Sequence, residues 1–192
     1  NLFEVMNTIR NELKEYFPYK VIHMDHLEAD DIIGTIINEE GTELNTGGER
    51  FLVLSGDKDY IQLQRFANVD QYDPVRKRWV RNDNPEQYIL EHILKGDTGD
   101  GVPNILSDDD VFVEGRRQTP LSKKKKEAIK EDLAEGELLY AASWYRNYQR
   151  NKTLIDLNEI PQHIQESIIN KYDDQKLPMK MKVLNYLIKF YL

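Results

Sequence analysis

Three pairs of carboxylates stand out in this 192-residue chain, each flanked by residues that read as the end of a strand or the turn of a loop. Glu28 and Asp30, with Asp31 beside them, lie in Leu-Glu-Ala-Asp-Asp; Asp57 and Asp59 lie in Ser-Gly-Asp-Lys-Asp; Asp97 and Asp100 lie in Gly-Asp-Thr-Gly-Asp-Gly. Carboxylates gathered at one place repel and resist ionising unless a cation stands between them. Oxygen donors in a chain without cysteine select a hard ion, Mg²⁺ or Mn²⁺, over zinc. Two such ions are a known device for phosphodiester hydrolysis, one activating a water while both neutralise the attacking and leaving oxygens. Any one pair has a plainer use, because Asp and Glu at helix N-termini cap the backbone and complement the dipole. Three pairs aimed at one crevice favour a site.

The elements that must position these acids follow from periodicity. Leu2, Met6, Ile9 and Leu13 recur at helical spacing until Phe17-Pro18 ends the run. Residues 20–24 (KVIHM) read as a buried strand, 28–40 as a helix turning Ile32, Ile33, Ile36 and Ile37 inward, 42–49 as a polar loop, and 50–55 (RFLVLS) as a second strand. That order is a βαβ unit with parallel strands. In such sheets ligands bind outside the carboxyl ends of the strands, where Glu28, Asp30, Asp57 and Asp59 fall. A further helix starts at Asp57, a small hairpin joins 69–72 to 78–80 around Asp73-Pro74, and Asn84-Pro85 opens a helix to about Lys95. Beyond the loop 96–104 the pattern is helical over roughly 121–133, 137–149, 161–171 and 178–192. The expected organisation is an α/β core over 1–104 followed by a helical lobe over 105–192.

Composition narrows the class. With 34 acidic and 26 basic residues the net charge is −8, and 40% hydrophobic residues suffice for a core. The absence of cysteine suits a cytosolic setting and excludes a disulfide framework. No apolar run approaches the ~20 residues of a membrane span, and no charged-then-apolar leader opens the chain, so neither a transmembrane helix nor a secretion signal is expected. Charge is uneven: Arg116, Arg117, Lys123, Lys124, Lys125, Lys126 and Lys130 face only Glu114 and Glu127. Such a strip on an acidic body would hold a polyanion locally, or serve as a solvated face. His23, His26, His92 and His163 share no metal-ligand spacing and read as structural or surface residues. Lys58 reads as an offset to local negative charge, and Trp79, Trp144, Tyr140, Tyr145 and Tyr148 as packing.

The three acidic motifs (27–31, 54–60 and 94–103) stand in the order and spacing found in the 5′ nuclease family. This is the group of flap endonucleases, the 5′-nuclease domain of bacterial DNA polymerase I and phage exonucleases. Within it the chain is most similar to the ribonuclease H branch of T-even-type phages. The likeness continues through Tyr72-Asp73-Pro74, residues 77–80, Val113-Glu114-Gly115 with Arg117 and Thr119-Pro120, and Leu154-Ile155-Asp156 with Ile160-Pro161. The resemblance implies a PIN-like fold, a mostly parallel central sheet with flanking helices, followed by a C-terminal helical lobe. It implies an Mg²⁺-dependent 5′-3′ nuclease acting on RNA primers, RNA–DNA hybrids and 5′ flaps during phage replication in the bacterial cytoplasm. By position, Glu28, Asp30, Asp57, Asp59, Asp97 and Asp100 would be catalytic and hold two ions, with Asp31 an additional ligand.

The resemblance also marks departures. Family members begin with a strand ending in a metal-site Asp, then a second Asp and a basic arch, none of which precedes Asn1. The expected partners are therefore DNA and hybrid duplexes, the missing N-terminal part of the nuclease, and the single-stranded-DNA-binding protein and sliding clamp with which family members cooperate. Relatives also continue past 99–105 into a helix–hairpin–helix that holds a monovalent cation, but acidic residues over 107–110 oppose that use here. Duplex grip is instead expected from Arg116, Arg117 and Lys123, Lys124, Lys125 and Lys126. The alternatives are a non-catalytic nucleic-acid-binding subunit or remnant of this fold, and a PIN-like ribonuclease with another substrate.

Overall fold

The computed structural model describes residues 1–41, 50–136 and 139–191. The expected polar loop at 42–49 and the first two residues of the expected helix at 137–149 lie outside them. The chain clusters into two compact units, Asn1–Ile32 with Gln162–Leu192, and Ile33–Pro161.

In the first unit, α1 (Leu2–Tyr16) is capped by Asn1, whose side-chain oxygen accepts from Phe3 N. The start of α2 (Ala29–Gly41) follows, and α6 (Gln162–Asp174) and α7 (Met181–Tyr191) complete the unit. Tyr186 on α7 fastens α1: its hydroxyl donates to Glu12 at 2.8 Å and its ring meets Tyr16 and Phe17. The apolar stripe of α1 is otherwise open, with Leu2, Met6 and Ile9 exposed. Residues 20–24 form no strand, a correction to the periodicity reading. The Val21 N–H donates to the Gln175 side chain at 2.8 Å, and Lys20 lies over the Tyr172 ring, so this segment is held by α6 and the turn after it. The β-rich composition there describes packing on a helix, and the expected βαβ unit does not form among the described residues.

The second unit holds the sheet. β1 (Phe51–Leu54) pairs in parallel with β2 (Val69–Asp73), from Phe51 against Val69 to Leu54 against Tyr72. β2 pairs antiparallel with β3 (Arg78–Val80), with Tyr72 opposite Trp79. The sheet is thus three-stranded and mixed among the described residues, and a mostly parallel central sheet is not seen. The hairpin at 69–80 forms as its sequence predicts. Buried Asp73 closes it, accepting the N–H groups of Val75 and Arg76 at 3.0 and 2.9 Å. The crossover from β1 to β2 is a 3₁₀ helix, Asp59–Arg65, where a helix from Asp57 was expected.

α3 (Pro85–Lys95) packs against the crossover, α5 (Tyr145–Ile155) packs against α3, and α4 (Lys123–Glu135) meets α3 through Ile129 and Leu94. Leu94, Ile105 and Ile129 form one buried cluster, with Trp144 and Tyr148 against it; Trp79 is instead half exposed, edge-on to Tyr72. Two buried amides lock the frame. Gln62 donates to Ile155 O at 3.1 Å and accepts from Leu157 N at 2.9 Å, tying the crossover to the end of α5. Asn151 donates to Ile93 O and Pro103 O, both at 2.8 Å, so both ends of the loop carrying Asp97 and Asp100 are held by α5.

Candidate metal centre and nucleic-acid interface

The loop after β1 brings Asp57 and Asp59 to the start of the crossover. Gln71, buried on β2, donates to the carbonyls of Ser55 and Asp57 and fixes the turn. A Cβ on Gly56 would lie 2.7 Å from Asp73 Oδ2, so the turn rests directly on that carboxylate. Asp57 Oδ1 accepts the N–H of Asp59 at 3.1 Å.

Asn84 caps α3 through Gln87 N, with Pro85 in its first turn, as the sequence predicts. The helix ends at Gly96, whose φ is +70°, and a Cβ there would stand 2.3 Å from Val102 O. That close approach, with Val102 N donating to Asp97 O at 2.7 Å, folds the acidic loop back on itself. Asp97 Oδ1 then accepts from Gly99 N and Asp100 N at 2.7 and 3.3 Å.

His92, in the last turn of α3, stands between two of the expected acids. Its Nε2 is 3.0 Å from Asp97 Oδ2 and its Nδ1 is 3.5 Å from Asp59 Oδ1. Among the described residues, Asp59, His92 and Asp97 form a group able to hold a metal ion. Burial pushes the Asp97 carboxyl up, but the bonds from His92, Gly99 and Asp100 outweigh it and hold the group below its ordinary range. Tyr88, one turn earlier on α3, is raised by burial and then by the charges of Asp59, Asp57 and Asp97. These acids therefore share one electrostatic neighbourhood. It opens beside a groove of about 460 Å³ lined by Asn82, Asn84, Gln87, Tyr88, Glu91, His92 and Lys95.

The structure thus brings together Asp57, Asp59 and Asp97, with Asp100 exposed on the same loop as Asp97. Glu28, Asp30 and Asp31 stand at the start of α2 in the other unit, where Asp31 Oδ2 accepts from Glu28 N at 3.0 Å. Spacing alone does not reveal His92: the usable signal is a histidine in the last turn of a helix that runs straight into an acidic, glycine-rich loop.

The basic strip divides. Arg116 is engaged by Asp108, Asp110 and Glu114, and Lys126 and Lys130 both bond Glu91 on α3. Arg117, Lys123, Lys124 and Lys125 are exposed. The acidic run at 108–110 is answered by arginines, since Asp109 pairs with Arg146 and Arg150.

A fold of this kind occurs in 5′-exonucleases. Two phage T5 structures superpose with TM-scores of 0.59 and 0.58: a point mutant of the 5′-exonuclease, and the D15 protein co-crystallised with metal ions. Each is 16% identical in sequence, covering 90% of this chain and 75% or 68% of the T5 chain respectively. Residues 1–91 match the 5′-3′ exonuclease N-terminal resolvase-like domain, and residues 83–192 match the family described as T4 RNase H, C terminal. The chain belongs to this T4 RNase H family. It is 35% identical to ribonuclease H of Enterobacteria phage T4 over 192 residues, 97% of this chain and 62% of that protein. It is also 31% identical to DNA polymerase I of Bacillus subtilis over 115 residues, 54% of this chain and 12% of the polymerase. Among the described residues no helix is long and apolar enough to cross a membrane.

Proposed function

We propose that this chain carries the metal-binding and duplex-gripping part of a 5′-3′ nuclease that hydrolyses phosphodiesters of RNA primers, RNA–DNA hybrids and 5′ flaps in phage replication, in the cytoplasm of the bacterial host. The observation that carries the reading is the gathering of Asp57, Asp59 and Asp97 around Tyr88 and His92 of α3, in a chain 35% identical to T4 ribonuclease H. The residues fit a divalent ion: carboxylates from two separate loops meet there, and the buried Nδ1 of His92 has no hydrogen-bond partner. Glu28, Asp30, Asp57, Asp59, Asp97 and Asp100, with Asp31, are the proposed holders of two Mg²⁺ ions, or Mn²⁺. Such ions, when bound, stabilise charge on a phosphodiester and make a water acidic enough to attack it.

The chain's own contribution is placement. Gln71 and Gly56 set the Asp57–Asp59 turn, Asn151 and Gly96 set the Asp97–Asp100 loop, and α3 offers the groove for a strand entering beside Tyr88. Arg117, Lys123, Lys124 and Lys125 would hold duplex phosphates without reading bases, with Arg116 and Lys126 contributing from within their ion pairs. In this reading residues 1–104 supply chemistry and 105–192 supply grip. A single-stranded-DNA-binding protein, a sliding clamp and a further nuclease segment are proposed partners.

The test is Mg²⁺-dependent cleavage of a 5′-flap duplex, run on this chain and on a protein extended to the length of its phage relatives. Asp57→Asn keeps an oxygen for the Asp59 N–H but removes the charge. It should abolish cleavage by the extended protein while duplex binding persists. Binding without cleavage in the unmutated extended protein would instead establish a nucleic-acid-binding module.

A further inference from the structure

The hairpin of β2 and β3 joins a run of cations to an open aromatic ring, and neither belongs to the metal centre or to the lysine strip of α4. Its turn and second strand read Arg76-Lys77-Arg78-Trp79-Val80-Arg81, four cations in six residues with no acid among them. Tyr72 and Trp79 stand directly opposite in the ladder, so their side chains share one face of the sheet. Trp79 meets Tyr72 edge-on at 5.2 Å and is still 52% exposed, so the sheet holds the ring without covering it. The Arg81 guanidinium lies 5.6 Å from the centre of the same ring. A half-open indole beside arginines is a platform on which a nucleobase can stack.

The surrounding charge points the same way. The chain carries a net charge of −8, yet Arg50, Arg76, Lys77, Arg78 and Arg81 gather on this hairpin and the strand beside it. Asp70 is shared by Arg50 and Arg81 at 2.9 and 3.7 Å, and Asp73 takes Arg76 at 3.2 Å. Lys77 and Arg78 are exposed and make no ion pair among the described residues. Lys77 has a φ of +52°, a left-handed turn position that glycine fills at less cost. The chain places a cation where a residue without a side chain would fold more readily.

We propose that this hairpin is a second nucleic-acid surface, which holds an unpaired strand with its phosphates on Lys77, Arg78 and Arg81 and a base on the open part of Trp79. Stacking selects the unpaired strand, because a base inside a duplex already has both faces covered. RNA and DNA share the chemistry that these residues meet, a phosphate and a base ring. The inference goes beyond the nuclease reading, since it concerns where a strand is held and not how it is cut. It is also distinct from the strip on α4, where Lys123, Lys124 and Lys125 follow one another with no ring between them.

The probes are an oligothymidylate and an oligouridylate of about 12 nucleotides, added to the full chain in EDTA so that neither is cut, while tryptophan emission is followed. Quenching by either supports the site, and their relative affinities identify the sugar it accepts. The chain's other tryptophan, Trp144, packs edge-on to Tyr148 against the Leu94 cluster and serves as an internal control. Trp79→Phe should keep most of the affinity and lose the quenching, whereas Trp79→Ala should bind about tenfold more weakly. Lys77→Gln combined with Arg78→Gln leaves every ion pair of the hairpin in place. It should reduce the slope of log affinity against log salt by about 0.7 for each phosphate no longer neutralised. Quenching that persists in Trp79→Phe, equal quenching by a closed duplex, or an unchanged slope in the double variant overturns the proposal. Failure of both probes to bind does so too, and leaves the open sheet face to a protein segment. Flap cleavage by the extended protein is a separate measurement, and it stands or falls without regard to these results.

Discussion

Replacing Glu91 with Gln tests how the helix bearing the candidate groove is joined to the helix bearing the lysine strip. Glu91 on α3 bonds Lys126 at 2.7 Å and also Lys130, both on α4, with the carboxylate only 21% exposed and the lysines 17% and 16%. Burial pushes the carboxyl up, yet the two lysines overcome it and hold it at about 2, against an ordinary 4.5. At about 1.36 kcal/mol per pH unit that difference has a ceiling of roughly 3 kcal/mol. Residual solvent contact and the freedom of lysine side chains to swing outward reduce the expected loss on substitution to about 2 kcal/mol. For a chain of this size that is a fall in Tm of roughly 4–8 °C at pH 7. The sign of the pH dependence follows from the lowered folded value. The contribution is complete above 4.5 and disappears as pH falls towards 2. Thermal unfolding of both proteins between pH 7 and pH 2.5 should show the two curves converging in acid. A gap that persists unchanged at pH 2.5, or no gap at pH 7, would refute the account of this ion-paired joint.

Further outcomes are expected elsewhere in the same unit. Gly96→Ala forces a Cβ to within 2.3 Å of Val102 O at a φ of +70°, and should cost about 3 kcal/mol in denaturant unfolding while weakening Mn²⁺ binding. Gln62→Leu strips partners from the buried Ile155 carbonyl and Leu157 N–H and should destabilise by roughly 3 kcal/mol, whereas a change below about 0.5 kcal/mol would remove Gln62 as a lock. Neutralising Lys123, Lys124 and Lys125 together should reduce the slope of log affinity against log salt for duplex DNA by about 0.9 for each phosphate that is no longer neutralised; an unchanged slope makes them a solvated face.

Much of the local structure is legible in the sequence. Asn84-Pro85 and Gly96 bound α3 to the residue, because capping depends on neighbours within one turn. The hairpin over 69–80 is equally local, since Asp73 closes it with its own side chain. Residues 20–24 show the limit. Their β-branched composition states only that they pack, and the Gln175 oxygen that takes the Val21 N–H lies 154 residues away in the chain. Likewise the parallel pairing of β1 with β2 is a choice of partner, to which strand propensity is blind.

The candidate site divides along the same line. The supply of oxygen donors, their arrangement in three motifs and the exclusion of thiolate chemistry are properties of composition and order, complete before the chain folds. Which of these acids has a histidine between it and its neighbour, and which cations of the basic strip are already held by carboxylates, depends on distances between residues far apart in sequence. Electrostatic and coordinating interactions act over a few ångströms, and the packing of α3 against the crossover and α4 sets those distances for His92 with Asp59 and for Lys126 with Glu91, whereas Arg116 finds its acids within its own loop.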